Sequence, residues 1–455
     1  MAGAMADAPE IPQVKARPVT RGLVMDLAVV LAGLVFVTAV ALAGWRLIHD
    51  KVDIFLFFPP LLAFWRPHVG PGTAAAVLVA VFTVLAGPAA AARMGWRPLL
   101  AAAWVTSIAW TLSLALVDGF REGVSGRLTS DVEYLHDVPR VQGIGQMLRD
   151  FSSHILTDRP DAWTIHVGAH PPGVFLVFVW LDKLGLGGGG VAGVFCVLVG
   201  ASACVAVAVT LRALGTESTA RAVLPFGVLL PGAVWVGVSA DGMFAGVLAW
   251  GLALLALGAV NSGWRADLFA LLGGLLLGYT LFLSYGLVLA GPLGVAVLVV
   301  SRRWRPVLFG ALGVGAVVAV FAACGFWWLT GFDLVKIIYA GSIAQTRPYS
   351  YFLWSNLAAL LFVLGPATVA GMRRWAVRPR SLPAAAAWLA LAALLGVLIA
   401  DISGMSKGEV ERIWLPFAMW LVIPCALLPR QHLRGWLAAQ ALLALVVNHL
   451  LTTIW

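Results

Sequence analysis

Charge is what this 455-residue chain has least of: Asp, Glu, Lys and Arg together make up 11% of it, against 61% hydrophobic residues. Too little polar surface remains to clothe soluble domains in water. Cysteine is equally sparse. The four, Cys196, Cys204, Cys324 and Cys425, all sit inside apolar runs, which excludes a disulfide framework and a thiolate metal cluster. His166 and His170 stand four apart but lack the glutamate of an HExxH frame, which argues against a zinc protease. No internal repeat of 20–50 residues is visible. The first apolar run is about 26 residues long and lacks a small-residue cleavage site after a short core, so it reads as an uncleaved signal anchor. The net charge of +9 is accounted for by basic loops that set membrane topology, and nucleic acid is excluded as a partner.

What is there is a series of apolar runs, among them residues 22–48, 72–91, 191–211 and 307–329. At about 1.5 Å per residue each crosses a hydrocarbon core of about 30 Å. Lipid offers nothing to unpaired backbone groups, so such runs must be helices. The fold class that follows is all-α, a polytopic transmembrane helix bundle of about twelve to fourteen membrane segments. Residues 54–65, with Pro59-Pro60, and residues 174–186 are too short to count securely as spans.

Lys15, Arg17 and Arg21 place residues 1–21 in the cytoplasm as an N-terminal tail. Residues 22–117 are then N-terminal membrane segments. Residues 118–172 form an extracytoplasmic loop, and residues 173–455 a bundle that closes with a span at Trp455. Basic loops at residues 212–221, 265, 302–305, 373–380 and 430–434 fall on the cytoplasmic side. The acids gather opposite. The expected location is therefore a cell membrane, crossed many times, with the chemistry on the extracytoplasmic face.

Within the long loop, residues 141–155 place Ile144, Met147, Leu148, Phe151 and Ile155 at helical spacing. This predicts an amphipathic interfacial helix, its apolar side set either on lipid or on neighbouring spans. The loop opens with Asp118, Glu122, Asp131, Glu133 and Asp137, and closes with His166 and His170 before Pro171-Pro172. Carboxylates in a partly dry pocket serve as general base or bind a divalent cation. A histidine whose direction is set by helix-starting prolines can donate to phosphate. On the same predicted face lie Asp241 in Ser239-Ala240-Asp241, Arg347 beside Tyr349, and Glu409, Glu411 and Arg412. Arginine is suited to bidentate capture of a phosphate.

An early acidic outer loop, an amphipathic helix, a His-Pro-Pro helix start, a later Ser-Ala-Asp turn and an Arg-bearing loop before another span, in that order, resemble the GT-C superfamily of polytopic glycosyltransferases. The likeness is nearest to the bacterial dolichyl-phosphate-mannose and aminoarabinose transferase type and to actinobacterial envelope relatives, and covers about residues 118–351. The resemblance implies transfer of a sugar from a polyprenyl-phosphate donor to a glycan, lipid or protein acceptor of the cell envelope, with inversion. It implies Asp137 as base, about ten residues before Met147-Leu148, with Glu133 and Asp131 next in order. It also implies His170, Arg347 and Arg412 at the donor phosphate, supported by Asp241, His166, Tyr134, Glu409 and Glu411. A divalent metal ion is the one cofactor these residues could take, through Asp131 and Glu133. The chain departs from the family in having about three membrane segments before the acidic loop instead of one, and no Asp-x-Asp or Asp-Glu pair. The competing functions are a transporter or flippase of a lipid-linked sugar, and an envelope glycan ligase or polymerase on another helical fold. Transporters place charge at the bilayer midplane, and Asp26 is the clearest such residue here.

Overall fold

The computed structural model describes residues 19–453; residues 1–18 of the expected cytoplasmic tail lie outside the described residues. Among these, ten helices are long and apolar enough to cross a membrane: Arg21–His49, Thr73–Arg93, Trp96–Asp118, Gly189–Ala213, Ala240–Val260, Trp264–Leu283, Arg305–Ala323, Tyr349–Val377, Ala384–Ile402 and Arg430–Leu450. Two shorter apolar helices, Tyr285–Ser301 and Leu415–Leu427, complete an all-α polytopic bundle. The only described strands are Ala63–Trp65 and Leu451–Thr453.

Burial sorts the helices into a centre and a rim. The apolar window of Ala240–Val260 is 72% buried inside the protein, whereas that of Arg21–His49 is 11% buried and has its flank free for lipid. Lipid tails are as apolar as leucine, so helices associate through close backbone approach more than through apolar burial. Glycine supplies that approach: a Cβ at Gly246 would collide with Val199 O, and one at Gly274 with Gly310 O.

The helix Tyr349–Val377 is broken at Gly365, whose φ of 73° only glycine adopts readily. Pro366 adds a missing donor, so the helix ladder is interrupted inside the bundle. Gln440 of the last helix repairs it, donating to Leu364 O at 2.9 Å and accepting from Ala367 N at 3.1 Å. Gln440→Leu is therefore expected to leave a buried carbonyl and a buried amide unpaired and to destabilise the protein by about 2–4 kcal/mol. Chemical unfolding in detergent measures this, and an unchanged midpoint would show that the break is satisfied by other groups.

Asp26 is wholly buried, bonded to Arg373 at 3.0 Å and to Arg374 at 2.6 and 2.8 Å. It clamps the first helix to the basic end of the helix Tyr349–Val377 and is not a lone carboxylate facing a transport path.

Residues 50–72 form a non-helical connection whose strand Ala63–Trp65 pairs antiparallel with Leu451–Thr453. This corrects the expectation of a span ending at Trp455: the last helix stops at Leu450, and the chain then satisfies its backbone by sheet pairing. The amphipathic helix is present as Ile144–Asp150 with a 3₁₀ turn over Phe151–His154. Its apolar side is covered by protein, since Met147, Leu148, Phe151 and Ile155 are buried and the Phe151 ring lies 5.6 Å from both Trp163 and Phe326. Of the two placements open to it, packing on the protein holds. Residues 174–183 belong to the twelve-residue helix Pro172–Lys183, which is too short to span, and residues 184–186 follow it as a turn.

Candidate functional site

Charged residues separate along the helix ends. The spans Trp96–Asp118, Ala240–Val260, Tyr349–Val377 and Ala384–Ile402 each have one end at the long loop, Asp241, Arg347 or residues 403–412. Their other ends carry or adjoin Arg97, Arg265, Arg373, Arg374 and Arg380. Four segments distant in sequence thus deliver polar side chains to one end of the bundle.

The first is Glu133, which precedes the short helix Tyr134–Asp137 and is buried. Its Oε1 lies 2.8 Å from His166 Nδ1. His166 comes from the helical turn Ile165–Gly168, and its Nε2 lies 3.1 Å from Arg412 Nη2. Arginine can only donate, so Nε2 accepts and the imidazole proton resides on Nδ1, pointing at Glu133. Arg412, on the turn Val410–Ile413, also donates to Asp241 at 3.1 Å and to Glu409 at 3.3 Å. Asp241 stands in the first turn of Ala240–Val260, where Ser239 Oγ caps Gly242 N at 3.2 Å and the helix dipole favours a carboxylate. Glu409 has φ of 62°, the left-handed region, following Gly408 at 90°. This strained corner turns the Glu409 side chain back onto Arg412.

Glu409 links onward to Arg347 at 3.9 Å. The Arg347 guanidinium lies over the rings of Phe352 at 5.3 Å and Phe55 at 5.8 Å, and donates to Ile54 O at 3.2 Å, Phe55 O at 3.4 Å and Lys407 O. Lys407 Nζ in turn donates to Ala344 O at 2.9 Å and Arg347 O at 3.0 Å. The result is a chain of buried and half-buried groups, Glu133, His166, Arg412, Asp241, Glu409, Arg347 and Lys407. In it Arg347, Lys407 and Arg412 face Glu133, Asp241 and Glu409. Charges this far from water persist only when matched and hydrogen-bonded.

Burial pushes the Glu133 carboxyl up, but the His166 hydrogen bond and the Arg412 charge outweigh it and hold the carboxyl below its usual value. Glu133 Oε2 is buried and has no hydrogen-bond partner among the described residues. Glu411 takes the opposite course. Burial raises its carboxyl from 4.5 to about 7, and its one partner is the Leu62 amide, which donates to Oε1 at 3.4 Å. Because the folded value lies above the unfolded one, stability is full below about pH 4.5 and is lost as pH rises toward 7. Glu411→Gln is expected to flatten that decline and to gain up to about 3 kcal/mol at pH 8. Unfolding midpoints at pH 5 and pH 8 test it; parallel curves for the two proteins would mean that Glu411 stays ionised.

Several expectations need correction. Asp137, the leading candidate for base, is fully buried with both oxygens committed: Oδ1 accepts from Arg140 at 2.7 Å and Oδ2 from Thr164 N at 2.8 Å. It caps the turn that carries His166. Asp131 points into solvent, with His136 at 3.8 Å, while Glu133 points inward, so the two carboxylates do not face a common centre. A divalent ion needs several converging oxygens, and among the described residues no group of three or more His, Cys, Asp or Glu side chains could hold a metal. The residues present do not fit that cofactor.

Burial works against a cationic His170. Burial pulls its pKa down to about 4, and its Nδ1 donates to His166 O at 2.9 Å, leaving Nε2 a bare acceptor. Its ring packs against Tyr134 at 5.8 Å and Phe244 at 6.0 Å. Tyr134 is buried between this ring, His166 and Phe178. Lys407 was missed by sequence reasoning; the available signal was a lone lysine between Gly404 and Gly408, just before Glu409 and Glu411. Asp118 forms a separate strap, 2.9 Å from both His68 and Arg127, with Arg127 also donating to Thr453 O at 2.9 Å.

No family model matches this sequence, and no curated protein matches it. Among solved structures, the chain is similar to ArnT from Cupriavidus metallidurans in the apo state, at 18% identity and a TM-score of 0.42, over 71% of this chain. The chain spans 58% of the length of that structure. A superposition this loose carries no functional weight, which falls instead on the residues above.

Proposed function

We propose that this chain is a membrane glycosyltransferase that moves a sugar from a polyprenyl-phosphate donor to a cell-envelope acceptor on the extracytoplasmic face, with Glu133 as general base. The observation that carries the reading is the pairing of Glu133 with His166 and Arg412 at the helix ends remote from the arginine-rich loops. Arginine-rich loops favour the cytoplasm, which supports an extracytoplasmic site. The order of sequence motifs that resembles GT-C enzymes supports the same class.

In this scheme Glu133 Oε2 takes the proton of the acceptor hydroxyl as its oxygen attacks the anomeric carbon. The bond from that carbon to the phosphate oxygen breaks, its electron pair leaves on the polyprenyl phosphate, and the configuration inverts. Arg347 and Lys407, now bound to backbone carbonyls, are the cations that a donor phosphate would draw from those partners. Arg412, held between two carboxylates and His166, fixes the imidazole that orients Glu133. Displaced Asp137 keeps the turn of residues 164–168 in place.

Incubating the purified protein in lipid with a panel of polyprenyl-phosphate sugars tests the proposal. Release of polyprenyl phosphate, lost in Glu133→Gln, is the expected result. A protein that binds and turns over none of the panel, but moves a lipid-linked sugar between leaflets, belongs to the transporter class instead.

A further inference from the structure

Behind the short helix that follows Glu133 lies a second recess. A cavity of about 240 Å³ opens between residues 129–139, the end of the helix Pro172–Lys183 and the glycine-rich turn that follows. Its floor is apolar, with Phe178 and Val138 buried, and its rim carries Thr129, His136 and Asp182. One wall is bare backbone: residues 187–190 are four consecutive glycines, and Gly188, at φ of 96°, lines the cavity without a side chain. A backbone wall offers amide and carbonyl groups to a ligand at close range.

The lining defines the class of occupant. An aromatic floor, a carboxylate, an imidazole, a hydroxyl and exposed peptide groups suit a small ring with one apolar face and several hydroxyls. Drug-sized ligands need roughly 300 Å³ or more, so the recess fits something smaller. The recess is also coupled to the site by direct packing. Phe178 lies 5.4 Å from the Tyr134 ring, which contacts His166 at 6.1 Å, and His136 shares the Tyr134–Asp137 turn that follows Glu133.

We infer that this recess is a saccharide subsite, which holds one sugar residue of the acceptor glycan against Phe178, with Asp182 and His136 accepting from and donating to its hydroxyls. The choice of a saccharide rests on the transferase reading. Occupation of the recess would steady the turn on which Glu133 stands, so acceptor binding and base positioning are linked.

The test uses the full chain in nanodiscs and, as probes, methyl glycosides of hexoses and pentoses, followed by saturation-transfer NMR. At least one glycoside is expected to bind wild type and Glu133→Gln alike, and to bind Asp182→Ala and His136→Ala at least tenfold more weakly. Both rim residues are exposed, and unchanged thermal midpoints of the two variants confirm that they fold. Binding that survives both substitutions, or no binding by any probe, overturns the subsite. If no glycoside binds while wild type turns over a lipid donor, the subsite fails and the transferase reading stands. Glycoside binding lost in Asp182→Ala, in a protein that turns over no donor, leaves the subsite standing and removes the transferase.

Discussion

Glu133→Gln is expected to slow sugar transfer by roughly 100- to 10,000-fold, the range a positioned general base supplies, without unfolding the protein. The amide keeps the shape of the carboxylate and still presents an oxygen to His166 Nδ1–H, so the chain from His166 to Arg412 survives. What it loses is the basic Oε2, the buried oxygen with no hydrogen-bond partner. The pH profile follows from the direction of the Glu133 shift. Its folded value is depressed below 4.5, so the carboxylate form persists on acidification, and the transfer rate falls only as pH drops through that lowered value. Asp137→Asn gives the contrasting result: a weaker cap on the Thr164 amide, reduced stability, and turnover retained by the protein that remains folded. Full activity in Glu133→Gln together with dead but folded Asp137→Asn would return the base to Asp137.

Arg412→Leu is expected to be the most destabilising single substitution at the site, by about 3–5 kcal/mol. Its guanidinium donates to Asp241, Glu409 and His166 at once, and all but Glu409 are buried. Removing it leaves carboxylates in a dry cluster with no cation at bonding distance from Asp241. That cost is comparable to the whole stability margin of many proteins. Arg412→Lys keeps the charge but cannot span three acceptors with a planar fork, so folded protein with low turnover is expected. Arg412→Leu combined with Asp241→Asn should recover part of the lost stability, because the stranded charge goes with its partner. Thermal unfolding in detergent reads these differences. An Arg412→Leu protein as stable as wild type would mean that the cluster is hydrated and its charges screened.

The helix bundle was legible before any coordinates because it depends on length and apolarity alone: a run of twenty apolar residues has one stable form in lipid. The identity of the site residues was legible in part. Glu133, His166, Asp241, Glu409 and Arg412 stand out as charges at predicted helix ends, and they do converge. Their roles were not legible. Glu133 precedes the short helix Tyr134–Asp137 and Asp137 ends it, and spacing cannot say which one faces a histidine and which one caps the Thr164 amide. His170 carries the same side chain as His166, yet burial keeps it neutral and turns its donor to a carbonyl.

The sequence by itself determined that this chain is a multi-pass helical membrane protein, since lipid leaves long apolar runs no stable form but the helix. Only the tertiary structure decided which acid meets the histidine. Proton affinity and availability depend on the third and fourth neighbours of a carboxylate, and those come from segments as far apart as residues 133, 166, 241 and 412. The pairing of the chain end with residues 63–65 and the recess beside Phe178 are likewise products of packing between distant segments, which no local pattern of residues encodes.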